Sequence, residues 1–266
     1  MRRTRIEWTN ATWNPVTGCT PISLACKNCY ARRFADKAQK LGVLKYQHGF
    51  KITVHPELFD WPLKIRKPQM IFVNSMSDLF HEQLPDDVIL KIFDVMEKAD
   101  WHIFQVLTKR SARMAEFSAK YYPKWPDHVW AGVSVETSQY NYRIDHLRSF
   151  EASVHFISYE PLLDSVKPIN LQDIEWVIVG GETGPNYRPM REEWVDEIFE
   201  ECQKANVPFF FKQYAGPRQG WKRDYRGQIW EQYPAQLTLS SLDHGGTRSR
   251  ERIRPTQNPK TNSRSS

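Results

Sequence analysis

Short apolar runs rich in β-branched and aromatic residues recur along the chain, and helical periodicity follows most of them. Residues 70–75 (MIFVNS) read as a buried strand. Pro85-Asp86-Asp87 then opens a helix with Val88, Ile89, Ile92, Phe93, Val95 and Met96 on one face. Further strands are expected at 101–108 (WHIFQVLT), 129–135 (VWAGVSV), 153–159 (SVHFISY), 176–179 (WVIV) and 207–212 (VPFFFK). Helices are expected at 111–121, near 140–150 and at 192–205, and another at or just after Cys29 makes the cysteine region the first strand–helix unit. Strands that alternate with helices must pair in parallel through right-handed crossovers. The expected fold is therefore α/β, a partial or complete parallel β/α barrel in preference to an open doubly wound sheet, and 266 residues suffice for it as one domain.

Nearly every strand ends in polar residues or glycine: Asn74-Ser75 with Asp78 beyond, Thr108-Lys109-Arg110, Ser134 with Glu136, Tyr159-Glu160-Pro161, Gly180-Gly181-Glu182, and Lys212-Gln213-Tyr214. In a parallel barrel such ends gather at one mouth, where chemistry is built. Residues 220–230 (GWKRDYRGQIW) read as a short hairpin or a lid over one end. The barrel domain is placed at 1–235, with a basic, structureless tail at 236–266 whose Ser, Arg, Asn and Pro composition cannot build a core.

The formal net charge is +6. Residues 240–266 hold six basic residues against Asp243 and Glu251, so the tail supplies +4 and the body about +2. No run approaches the roughly 20 apolar residues of a membrane span, and the first residues, MRRTRIE, have no apolar signal core, so a cytoplasmic protein without a membrane partner is expected.

Cys19, Cys26 and Cys29 lie within eleven residues, while Cys202 stands alone in an expected helix. That is a poor disulfide framework and a good metal pattern. A closed zinc site needs four ligands, which here would demand a distant His48 or His81. A [4Fe–4S] cluster with three cysteine ligands leaves one iron open to a substrate or cofactor. Cys202 follows Trp194, Val195, Ile198 and Phe199 at helical spacing, so it is expected to pack against the sheet and not to ligate.

The segments Trp13-Asn14-Pro15-Val16-Thr17-Gly18-Cys19 and Cys26-Lys27-Asn28-Cys29-Tyr30-Ala31 resemble the leading motif of the phage Gp37/Gp68-type family (DUF5131), within the radical S-adenosylmethionine (SAM) superfamily. Tyr159-Glu160-Pro161-Leu162-Leu163, residues 176–182 (WVIVGGE) and residues 207–213 (VPFFFKQ) extend the likeness over about 5–235. Ser77-Asp78-Leu79-Phe80-His81 and Leu107-Thr108-Lys109-Arg110-Ser111 are similar in position and character to segments of the spore photoproduct lyase-like branch. Six residues separate Cys19 from Cys26 where the superfamily usually has three.

The resemblance implies that the three thiolates bind a [4Fe–4S] cluster and that SAM chelates its open iron. Electron transfer from a reductant protein then yields methionine and a 5′-deoxyadenosyl radical. It further implies cofactor contacts from Tyr30 near the adenine, from Asn74, Ser75 and Asp78 to the SAM amino group, and from Lys109, Ser134 and Glu136 to its carboxylate and ribose. Gly180 and Gly181 lack the spacing of a dinucleotide-binding turn and are expected to let backbone approach adenine or substrate, with Glu160 and Glu182 holding substrate polar groups.

No residue is singled out as catalytic. A nucleic acid or nucleotide is the candidate substrate, with Trp61, Trp101, Trp125 and Trp221 available for stacking and Arg32, Arg33, Arg110 and Arg113 near the mouth. The competing readings are a noncatalytic, zinc-containing nucleic-acid-binding protein and a degenerate barrel kept as a phage or defence interaction partner.

Overall fold

The computed structural model describes residues 4–235, so the expected tail lies outside the described residues. In chain order the elements are β1 (Ala11–Trp13), β2 (Val16–Thr17), α1 (Tyr30–Lys40), β3 (Thr53–Val54), β4 (Met70–Val73), α2 (Asp86–Lys98), β5 (Ile103–Thr108), α3 (Ser111–Tyr121), β6 (Val129–Ser134), α4 (Tyr142–Leu147), β7 (His155–Tyr159), β8 (Trp176–Gly180), α5 (Glu192–Ala205), β9 (Phe209–Gln213), β10 (Asp224–Tyr225) and β11 (Gln228–Ile229). Seven strands form one sheet in the order β1-β4-β5-β6-β7-β8-β9, and every pair is parallel. The order never reverses. Right-handed crossovers that always step the same way put the helices on one face, and the sheet curls around the other as a half-barrel. A doubly wound sheet would reverse its order at a switch point.

Side chains alternate across each strand and so divide into two cores. Val73, Val106, Val133, Ile157, Val177 and Phe211 face outward and pack with α2 to α5 in the larger cluster. Met70, Phe72, Trp130, Phe156, Trp176 and Phe210 face inward, where Trp8 joins them and plugs the barrel. Trp8 meets Phe72 at 4.7 Å and Trp176 at 6.3 Å between ring centroids. Gly132 sits on this inner face, where a Cβ would lie 2.4 Å from the Phe156 ring. Beyond the aromatic plug the same face turns polar toward the strand ends.

The element starting with the cysteines differs from expectation. Its strand is the three-residue β1, ahead of Cys19, too short to show a period. The cysteine segment is instead a loop closed at its neck by the antiparallel pair β2–β3. Gly18 there has φ +94, and a Cβ on it would lie 2.2 Å from the Lys51 carbonyl oxygen, so only glycine fits. The helix near 140–150 shortens to α4 because a 3₁₀ turn, Ser138–Tyr140, precedes it.

Residues 224–229 form a hairpin, but it covers the outer layer and not the mouth. Tyr225 packs on Phe199 and Phe209, and its hydroxyl donates to Asp196 at 2.5 Å. Cys202 is fully buried in the outer cluster. No helix among the described residues is long and apolar enough to cross a membrane.

Candidate functional site

The polar end of the inner face opens into a cavity of about 300 Å³, and the wall includes Cys19, Cys26 and Cys29. All three thiols are half-buried. Arg110, just past β5, donates to the Cys19 sulfur at 3.4 Å and to the carbonyl and hydroxyl oxygens of Thr20 at 3.1 and 3.0 Å. Burial nevertheless pushes the Cys19 thiol up to about 11, with Asp78 adding to the rise and Arg110 only partly offsetting it. Cys26 moves the other way. Burial opposes its ionisation, but backbone bonds at Ile22 and Ser23, then Lys109, outweigh that penalty and hold the thiol below its ordinary range.

Among the described residues no three His, Cys, Asp or Glu side chains converge as ligands of one metal ion. A mononuclear zinc site gathers its donors around one ion, whereas the thiolates of a cluster each hold a separate iron and so converge at wider spacing. His81, a candidate fourth zinc ligand, has both ring nitrogens committed, one to the Thr20 hydroxyl at 2.8 Å and one accepting from Gln83 N–H at 3.1 Å. His48 is exposed, two residues past a 3₁₀ turn at Leu44–Tyr46.

Asn74 stands directly after β4 on the cavity wall with φ 60, a conformation asparagine tolerates. It is buried, yet neither its side-chain oxygen nor its nitrogen has a hydrogen-bond partner. Such a group costs about 1–3 kcal/mol and marks a place where a bound molecule can supply the missing bonds. Tyr30, at the start of α1, donates its hydroxyl to the Ser75 carbonyl at 2.6 Å, and the rest of the residue stays half exposed on the wall. Lys109 and Ser134 also line the cavity, as do Glu160, Gly181 and Glu182.

Several residues read as ligand contacts are occupied with holding the loops. Asp78 accepts from Thr108 hydroxyl at 2.6 Å, from the N–H groups of Phe80 and Lys109 at 3.0 and 3.1 Å, and from Arg110 at 3.3 Å. Those four donors use the capacity of a carboxylate. Glu136 is fully buried behind the wall, between Arg143 at 3.0 Å, the Ser23 hydroxyl at 2.9 Å and Lys109 at 3.5 Å. Glu182 takes Asn28 at 2.8 Å and the Arg188 backbone N–H at 2.9 Å, and also pairs with the Arg188 guanidinium. Burial would raise its carboxyl, but Arg188 and Asn28 outweigh it and hold Glu182 below the usual carboxylate range.

The glycines serve neighbours within the chain. A Cβ on Gly180 would lie 2.5 Å from the Glu160 carboxylate, and one on Gly181 2.1 Å from the Ala215 nitrogen. Gly180 therefore makes room for Glu160, which pairs with Lys212 at 3.0 Å and accepts from Ser158 at 3.2 Å. Ser158 and Lys212 line the cavity and were not among the expected contacts. Strand parity reveals them, because Ser158 follows inward Phe156 and Lys212 follows inward Phe210.

The expected stacking and basic residues are redistributed as well. Trp125 is buried in the outer core against Phe80 and Phe150, and Trp61 and Trp101 pack on the same cluster. Trp221 covers Gly216. Arg113 is spent on the carbonyls of His81 and Leu84 and on Asp86. Of the four arginines, Arg32 and Arg33 remain at the rim, with Arg33 donating to the Thr183 carbonyl at 2.7 Å.

A family model described as "Protein of unknown function (DUF5131)" matches residues 3–234. Among solved structures, a spore photoproduct lyase complexed with dinucleoside spore photoproduct aligns at TM-score 0.42 and 11% identity, covering 73% of this chain and 61% of the other. A double mutant of spore photoproduct lyase with bound AdoMet and the same dinucleoside aligns at TM-score 0.39 and 12% identity, covering 71% and 59%. The chain thus spans about three fifths of the length of each. No curated protein matches it by sequence.

Proposed function

The chain belongs to the DUF5131 family, and from that premise we propose that it is a radical SAM enzyme acting on a substrate held at the mouth of the half-barrel. The observation that carries the reading is a single wall that bears three half-buried cysteine thiols together with the unpartnered amide of Asn74. Cys19, Cys26 and Cys29 would hold a [4Fe–4S] cluster. When bound, the cluster and SAM supply one-electron cleavage of SAM and removal of a hydrogen atom from substrate, with a reductant protein as electron source.

The chain's own residues then have distinct tasks. Arg110 and Lys109 place positive charge beside the thiolates of Cys19 and Cys26, and Asp78 fixes Arg110 in that position. Asn74 offers both a donor and an acceptor to the amino acid part of SAM, with Ser134 and Lys109 on the neighbouring strands. The ring of Tyr30 offers a flat surface at the adenine end. The Glu160–Lys212 pair, across the wall just past β7 and on β9, is left to orient substrate, and the aromatic plug under it keeps water from the barrel interior.

Anaerobic reconstitution tests the reading. The expected result is about four irons per chain and 5′-deoxyadenosine formation with SAM and dithionite. Replacing Cys19, Cys26 or Cys29 by Ala should abolish both, and Cys202→Ala should leave both intact. A fully loaded cluster that yields no 5′-deoxyadenosine, or loss of iron in Cys202→Ala, would refute it.

A further inference from the structure

Charge is not spread evenly over the fold. Residues 22–51, the cysteine loop with α1 and the turn after it, hold seven Lys and Arg against Asp36, a net +6 equal to that of the whole chain. Residues 240–266 add +4, so everything else sums to −4. Apart from the tail, the excess positive charge lies in the one segment that carries Cys26, Cys29 and α1.

It is also left unpaired. On α2, Lys91 and Lys98 each meet an aspartate one turn earlier, Asp87 at 3.5 Å and Asp94 at 2.6 Å. On α1, Asp36 precedes Lys40 by the same spacing, yet among the described residues neither Lys37 nor Lys40 makes an ion pair, and both are exposed. The inner side of α1 is only Ala31, Ala35 and Ala38, so the helix turns its large residues outward.

Those large residues include flat ones. Four aromatic side chains are exposed among the described residues, and three of them, Tyr30, Phe34 and Tyr187, belong to the rim. Tyr30 and Phe34 are one turn apart on α1, and Tyr187 follows Asn186, whose carbonyl accepts from Asn28 in the cysteine loop at 2.8 Å. Uncompensated cations beside exposed aromatic planes are what a single-stranded nucleic acid needs. The cations track phosphates, and the rings stack on bases of any sequence.

We propose that the outer face of α1, with Tyr187, is a docking surface for single-stranded nucleic acid that leads into the cavity past Tyr30. This names a substrate class for the proposed enzyme and rests on that reading only for what happens inside the cavity. An acidic protein is the competing occupant, because Ile22, Leu24, Leu41, Val43 and Leu44 are exposed as well. Leu41, Val43 and Leu44 lie beyond the other end of α1, roughly 16 Å from Tyr30, and Ile22 and Leu24 belong to the cysteine loop. Tyr30, Arg32, Arg33 and Phe34 lie on the first turns of α1, beside the mouth, and Lys37 and Lys40 continue the basic face along the helix, an order of rings and cations that favours nucleic acid.

Anisotropy of a fluorescein-labelled single-stranded DNA of roughly 15 nucleotides, and of the RNA of the same sequence, tests this. Each is titrated with the full chain, without SAM, between about 50 and 200 mM salt. Lys37→Glu with Lys40→Glu should weaken binding at least about tenfold and flatten the salt slope by about 1.4 or more. Phe34→Ala should weaken it about fivefold or more with the slope unchanged. Lys91→Glu with Lys98→Glu, the same charge change on α2, should stay within about twofold. Circular dichroism of each variant confirms the fold.

Three results would overturn the proposal: no binding of either oligonucleotide at low salt, equal losses in the α1 and α2 variants, or competition by polyglutamate as strong as by unlabelled oligonucleotide. Because SAM is absent, a chain that binds through α1 but makes no 5′-deoxyadenosine would remove the enzyme reading alone.

Discussion

Replacing Asn74 by glycine separates a ligand-binding role from a structural one. The Asn74 amide is buried with neither polar atom bonded within the chain, a cost of about 1–3 kcal/mol for the group. Glycine removes that cost and accepts φ 60 without strain, but gives back about 1 kcal/mol in backbone entropy. Alanine would be a poorer probe, since a Cβ in the left-handed region adds roughly 1–2 kcal/mol of its own. The net expectation for Asn74→Gly is no loss of stability and a gain of up to about 2 kcal/mol, or a rise in Tm of up to roughly 8 °C for a domain of this size. SAM binding should move the other way, because each lost hydrogen bond to a charged group costs about 1.5–3 kcal/mol, so affinity falls at least about tenfold. Differential scanning calorimetry of the cofactor-free chain and isothermal titration of SAM into the reconstituted chain measure the two effects. A lowered Tm with unchanged SAM affinity would show that Asn74 serves the fold and would refute the argument.

Glu136→Gln should act on the fold rather than directly on a ligand, since it leaves Arg143 buried without its counter-charge. The expected loss is about 3–5 kcal/mol, roughly 6–20 °C in Tm by calorimetry, and a loss near zero would contradict the pairing. Glu182, whose carboxyl lies below its ordinary range in the folded chain, contributes stability that is present above the unfolded-state value and is lost as pH falls through the folded one. Urea titrations should therefore show Glu182→Gln less stable than wild type at neutral pH. The gap should close as pH drops below about 4, and a gap that persisted in acid would break the linkage.

The layered architecture was legible in the sequence because a strand buried on both faces must be apolar along its length. Residues 70–73, 103–108, 129–134 and 155–159 are such runs, with helices of 3.6 period after the first three. Helix α5 falls on the expected residues because Glu192 and Glu193 start it and the left-handed Asn206 stops it. The hairpin's place was not legible, because Tyr225 reads as a loop aromatic until α5 supplies Asp196 and Phe199. For the site, residue type at the strand ends was a guide to location but not to task. Asp78, Glu136 and Glu182 all gather near the mouth, but each has an arginine partner, Arg110, Arg143 or Arg188, of which only Arg110 belongs to a strand-end run.

Those pairings bear on the length of the cysteine loop. A gap of six residues between Cys19 and Cys26 would leave a slack segment if it were free, since each ordered residue costs about 1–2 kcal/mol of backbone entropy. It is not free. Thr20 is bonded to Arg110 and His81, Ser23 to Glu136, and the Leu24 carbonyl to Arg188, which itself is clamped by Glu182. Asn28, between Cys26 and Cys29, completes the set by donating to Glu182. The carboxylates at the ends of β6 and β8 thus reach the loop through its own polar residues, and Asp78 reaches it through Arg110. The longer gap supplies the anchors Thr20 and Ser23 that a three-residue gap has less room to carry. Loop length and strand-end charge are in this way one device, which holds three thiols on the wall of a cavity while Asn74 and the Glu160–Lys212 pair stay turned toward its interior.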